Sequence, residues 1–203
     1  MRKLRAPLLR FALFSAITTL ILHVVVLLGN GLDPIATPIR RLSIGRWAEL
    51  QHVALMLFGL AHIALAIAIG GLRDGRLWPI ARVCLLLSGI GHFYVAADFA
   101  SAASLAQPNT ISNDPLWVVA SLTGLAMGMM QPGLSRLSLG VGLFGVVCLG
   151  IWLLLIPLNL LVTPAWLGGY ERLVGGVYVL WMIGVSTSLL GAAVRAQRYE
   201  SAH

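Results

Sequence analysis

The stretch LSLGVGLFGVVCLGIWLLLIPLNLL, from Leu137 to Leu161, contains no charged residue, and its hydroxyl and amide side chains are confined to Ser138 and Asn159 near the two ends. A helix rises about 1.5 Å per residue, so about 20 apolar residues suffice to cross the hydrocarbon of a bilayer. This run is long enough. It also lacks the polar face that a surface helix of a soluble domain requires. Gly140, Gly142, Gly145 and Gly150 thin it, as close helix packing in lipid favours.

Similar runs lie on both sides. Before it come Leu8–Leu28, Arg46–Gly70, Pro79–Ala103 and a short one, Leu116–Met130, which the Gln131-Pro132-Gly133 sequence is read as stopping. After it, past Thr163-Pro164 and Gly168-Gly169, comes Arg172–Val194. The turns between runs hold Pro34, Pro38, Arg73-Asp74-Gly75-Arg76 and the Gln107–Pro115 cluster of turn formers. Composition agrees with this reading: 59% of residues are hydrophobic, 10% are charged, and the mean hydropathy is +0.90. Soluble domains carry about a quarter charged residues, which excludes that class. The expected fold is all-α: one polytopic bundle domain over residues 1–203 with six transmembrane helices.

The net charge of +7 does not point to nucleic acid, because the basic residues sit at helix ends rather than along a stripe. They read as topology signals. With a cytoplasmic N-terminus, that side holds ten: Arg2, Lys3, Arg5, Arg10, Arg73, Arg76, Arg82, Arg136, Arg195 and Arg198. The other side holds four: Arg40, Arg41, Arg46 and Arg172. The orientation is therefore N-in and C-in, in a cell inner membrane. The basic start and apolar first run imitate a signal peptide, but no small-x-small cleavage site follows, so the run is read as a retained helix. Trp47, Trp78, Trp117, Trp166 and Tyr170 fall near run ends, as an interfacial belt does. Cys84 and Cys148 read as packing residues. Partners expected from sequence are the lipid bilayer and, through pairs such as Gly124/Gly128 and Ala66/Gly70, a second copy or another membrane protein.

Ionisable residues within apolar runs are costly and default to functional hypotheses. They concentrate in the first three runs as His23, Glu49, His52, His62, His92 and Asp98. His23, His52 and Asp98 fall at similar depth near the exoplasmic side, with Glu49 one turn from His52, and Arg40, Arg41 and Arg46 above them. Three readings follow. In the structural one, Glu49 and Asp98 pair with the arginines and pin the first loop to the bundle. In the second, Glu49, His52 and Asp98 form a catalytic acid–base or metal site acting on lipid or another substrate at the interface, with Arg40, Arg41, Arg46, His23 and His92 binding. In the third, paired histidines such as His23 and His52 hold a haem between helices. No helix-borne zinc motif, phosphate loop or nucleophile elbow selects among them, and the cofactor stays undefined. Transport is disfavoured, because the last three runs lack intramembrane charge.

The segment Leu32-Asp33-Pro34-Ile35-Ala36-Thr37-Pro38-Ile39-Arg40-Arg41-Leu42-Ser43-Ile44-Gly45-Arg46 resembles the first exoplasmic loop of the bacterial and archaeal membrane proteins grouped as Domain of Unknown Function 998. That resemblance implies the same six-helix layout with an acidic residue late in helix three, here Asp98. Ile44 stands where the family has an aromatic, and Ala97 where it has a proline. The resemblance brings no activity and no histidine pattern.

Overall fold

The computed structural model describes residues 2–70, 76–100, 115–158 and 161–201. The Arg73-Asp74-Gly75 turn, the Gln107–Asp114 cluster and Asn159 lie outside the described residues. Among the described residues there are six long helices: α1 (Arg2–Gly29), α2 (Ala48–Ile69), α3 (Trp78–Phe99), α4 (Pro115–Leu137), α5 (Leu139–Leu158) and α6 (Leu167–Ser201). Among the described residues, five segments are long and apolar enough to cross a membrane: Leu4–Gly29, Ala48–Ile69, Trp78–Phe99, Leu139–Leu158 and Pro164–Arg195. They lie on α1, α2, α3, α5 and α6; α4, with Gln131, Pro132 and Arg136, is the remaining long helix.

Each helix packs on its neighbours in the chain, and α1 returns to α6, closing a ring. The core is filled by Trp181, Met182, Met127, Met130, Leu65 and Leu85. Large apolar side chains such as Phe14, Ile90, Leu143, Leu154 and Leu180 point outward, the arrangement expected of a bundle solvated by lipid tails. Small residues set the close contacts. A Cβ on Gly124 would stand 2.1 Å from Trp152 of α5, so the Gly124/Gly128 pair packs α4 on α5 within the bundle.

Two helix bounds differ from the sequence reading. Helix α4 runs through Pro132 instead of stopping at Met130. Its last turn is held from outside: Leu134 is fully buried, Trp78 covers Gly133, and Gln131 Nε2 donates to the Gly142 carbonyl at 2.7 Å. These contacts offset the hydrogen bond that proline removes. Ser138 then caps α5, its hydroxyl accepting the Val141 N–H at 3.2 Å.

Helix α6 starts at Leu167, taking in the Gly168-Gly169 pair read above as a loop. The first loop explains why. A Cβ on Gly168 would meet the Thr37 carbonyl at 2.1 Å, and the Gly169 N–H donates to the Ile35 carbonyl at 2.8 Å. Only glycine admits a backbone this close. Arg172 Nη1 donates to the carbonyls of Pro34 (2.8 Å) and Thr37 (2.6 Å), while Glu171 accepts the Ile39 N–H at 2.5 Å. The loop itself is shaped by Asp33, whose carboxylate accepts the N–H groups of Ile35 and Ala36. The first loop is thus held on the bundle by Glu171 and Arg172 of α6, residues that the sequence reading did not assign to it.

Candidate functional site

Beneath the loop lies a cavity of about 290 Å³ walled by α1, α2, α3, α4 and α6. Its walls are largely apolar, with Leu20, Leu55, Phe58, Val119 and Val179 among them. Polar side chains enter at two levels.

At the loop end stand His23 of α1, Gln51 of α2 and Arg172 of α6. His23 lies beside Gln51 and within electrostatic reach of Arg172. Four polar atoms of this trio are buried outside strict hydrogen-bond geometry: His23 Nε2 and Gln51 Oε1, whose side chains interact with each other, and Nε and Nη2 of Arg172, which have no partner. Buried polar groups are nearly always paired, so a concentration of orphans on one cavity calls for an explanation.

Deeper in, His92 and Thr123 line the same cavity and belong to a hydrogen-bonded cluster with His62 and Ser88. His62 Nδ1 faces the Phe58 carbonyl and His92 Nδ1 the Ser88 carbonyl, both at 2.8 Å. A carbonyl only accepts, so each Nδ1 donates, and in the neutral rings each Nε2 is an acceptor. His62 Nε2 lies 3.1 Å from the Thr123 hydroxyl, which lies 2.7 Å from that of Ser88. Ser88 therefore donates to Thr123 and Thr123 to His62, leaving none of the three unsatisfied. The two imidazoles stack with centroids 5.0 Å apart, and Phe58 meets both edge-on.

A repeated local pattern builds this pair. Phe58-Gly59-Leu60-Ala61-His62 and Ser88-Gly89-Ile90-Gly91-His92 have the same layout: carbonyl acceptor, glycine, and histidine three residues after the glycine. A Cβ on Gly59 would stand 2.7 Å from the Gly89 carbonyl, and one on Gly89 would stand 2.8 Å from the Gly59 carbonyl. The glycines bring the two backbones together, and the histidines, nearly one turn on, meet.

The remaining sequence candidates fall elsewhere. His52 Nδ1 is 3.9 Å from Glu49, whose side chain is 94% exposed, and neither residue lines the cavity. Asp98 is half-buried near the end of α3 and does not line it either. Arg40 is buried in the loop, Arg41 borders a shallow surface hollow with Asn30 and Pro38, and Arg46 lies over the Trp47 ring. His23 and His92 are thus the sequence candidates that reach the cavity. Arg172, Gln51 and Thr123 were missed, and so was the part played by α4 and α6. Among the described residues, no group of three or more His, Cys, Asp or Glu is placed to hold a metal ion. His62 and His92 stack on one another. With both His62 nitrogens engaged, that pair is not built to share an iron.

Comparison with family profiles, with curated proteins and with solved structures found no match. The functional reading therefore rests on the cavity and its residues.

Proposed function

We propose that the chain is a multi-pass integral membrane protein with six spans, both termini cytoplasmic, whose cavity binds the chain of an amphipathic, lipid-like molecule. One observation carries the ligand reading: His23, Gln51 and Arg172, from three helices, gather at one end of a largely apolar cavity, where Nε and Nη2 of Arg172 have no hydrogen-bond partner. Small-molecule sites have this composition, an apolar body with a few convergent polar groups, and volumes of roughly 300–1,000 Å³. At about 290 Å³ the cavity suits a short acyl-type chain, or one end of a longer one. The basic-residue balance supports the orientation, which puts the polar end of the cavity on the exoplasmic side. The first loop, residues 32–46, supports kinship with the Domain of Unknown Function 998 proteins.

Gly176 lines the cavity, and a Cβ there would meet nothing within 4 Å. Gly176→Leu should therefore fill the space without disturbing the helix. Trp117, on the cavity wall, reports occupancy: a terminally brominated dodecyl alcohol should quench its fluorescence. The quench should saturate in the wild type, shrink in Trp117→Phe and be lost in Gly176→Leu. Unsaturable quenching that is equal in the wild type and Gly176→Leu would remove the reading.

A second reading, an acid–base site at the membrane surface, is favoured by the Glu49–His52 pair. It requires His52→Ala to abolish an activity that Gly176→Leu leaves intact.

A further inference from the structure

Resting on the amphipath reading above, we infer that the ligand's head group is anionic, a carboxylate or a phosphate monoester, gripped by the Nε and Nη2 edge of Arg172. The two nitrogens without partners are not an arbitrary pair. Nε–H and the near Nη2–H lie parallel along one edge of the planar guanidinium, the fork that matches two oxygens of a carboxylate or phosphate. The opposite nitrogen, Nη1, is fixed by the carbonyls of Pro34 and Thr37. The side chain is therefore held by its far corner while the other edge, buried and without a partner, is left to a ligand's oxygens, an arrangement that lowers the ordering cost of binding.

Asp33 and Glu171 lie close enough to act on the Arg172 charge. Both carboxylates are engaged with loop backbone: Asp33 takes the N–H groups of Ile35 and Ala36, and Glu171 takes that of Ile39. The two nitrogens of the Nε and Nη2 edge have no hydrogen-bond partner. His23 Nε2 adds a donor in its Nε2–H tautomer, and the Gln51 amide presents either its oxygen or its NH₂ group after a half-turn. These are the donors that a singly or doubly charged oxyanion takes, set at the end of a largely apolar slot that Glu171 also lines.

The test compares three terminally brominated dodecyl probes, an alcohol, a carboxylate and a phosphate monoester, by quenching of the full-length protein in neutral detergent. At least one anion should bind about tenfold or more tightly than the alcohol. Preference for the carboxylate identifies a fatty-acid-type ligand, and preference for the phosphate a lysophospholipid-type one; both outcomes support the inference. Arg172→Lys keeps the charge but removes the fork, and should abolish most of this preference while leaving alcohol binding within about twofold. Equal affinity for all three probes in the wild type, with Gly176→Leu blocking each, would overturn the inference while the amphipath reading stands. Absence of saturable binding by any probe would overturn both. Should Arg172→Lys loosen the loop and fail to fold, the wild-type comparison decides alone, with His23→Leu as the second variant.

Discussion

His92 and His23 line one cavity from different levels, and their surroundings differ in kind. Around His92, side chains from α2, α3 and α4 form a hydrogen-bonded network in which His62, Ser88 and Thr123 are satisfied and His92 Nδ1 is held by the Ser88 carbonyl. Around His23, Gln51 is the neighbouring side chain, and Nε and Nη2 of Arg172 are buried without a partner. A satisfied network in a low-dielectric interior strengthens and specifies packing, whereas an unsatisfied one costs free energy unless something else completes it. The first cluster therefore reads as architecture that shapes the cavity floor, and the second as a recognition surface. Both contain histidine, so residue type does not separate them; completeness does.

The contrast is most exposed at the glycine crossing on which the floor depends. Gly59→Leu forces the α2 and α3 backbones apart at the point where Gly59 and Gly89 nearly touch. Overpacking of this kind typically costs 1–3 kcal/mol, and with backbone as the obstacle about 3 kcal/mol is the appropriate figure. Unfolding by SDS titration should show it. A change below about 1 kcal/mol would mean that the crossing is looser than drawn and that the floor is not a fixed element.

His62→Ala comes next. It removes a fully buried ring, its bonds to Phe58 and Thr123 and its stacking on His92. Thr123 retains its own Val119 carbonyl at 3.1 Å as a fallback acceptor, which limits the loss. The expected cost is about 2 kcal/mol, from cavity formation and lost hydrogen bonds together. If stability is unchanged while probe binding is lost, His62 belongs to the recognition surface and the division drawn here is misplaced.

How much of this was legible beforehand follows from what each signal measures. Apolar run length located the helices, because the requirement to satisfy backbone groups in lipid acts on every residue alike. The ends of α4 and α6 were not legible. Pro132 and Gly168-Gly169 look like helix breakers until Trp78 is seen over Gly133 and the Thr37 carbonyl against Gly168. The same limit governs the site. Sequence gives the depth of a helical residue, but its direction depends on the neighbours. Gln51 and His52 are adjacent, yet about 100° apart around the helix, and Gln51 is the one that lines the cavity. Arg172 was counted only as a topology signal, since nothing local marks its contact with a loop more than a hundred residues earlier. The Phe58–His62 and Ser88–His92 repeat was legible and overlooked: two glycines, each three residues before a histidine, on consecutive apolar helices already suggest two rings brought together.

The smallest stability effect is the most discriminating. His23→Leu replaces a half-buried imidazole, with one nitrogen outside strict hydrogen-bond geometry, by an apolar side chain of similar reach. Removing a poorly paired polar group takes its desolvation penalty with it, so the variant should match the wild type within about 0.5 kcal/mol or gain up to about 1 kcal/mol. Unfolding by SDS titration, run beside His62→Ala, measures the contrast directly. A loss as large as that of His62→Ala would show that His23 has structural partners of equal weight, and the two levels of the cavity would then be one continuous scaffold. Unchanged or raised stability together with weaker binding of the anionic probes would separate them, because a structural histidine has no reason to favour one head group over another.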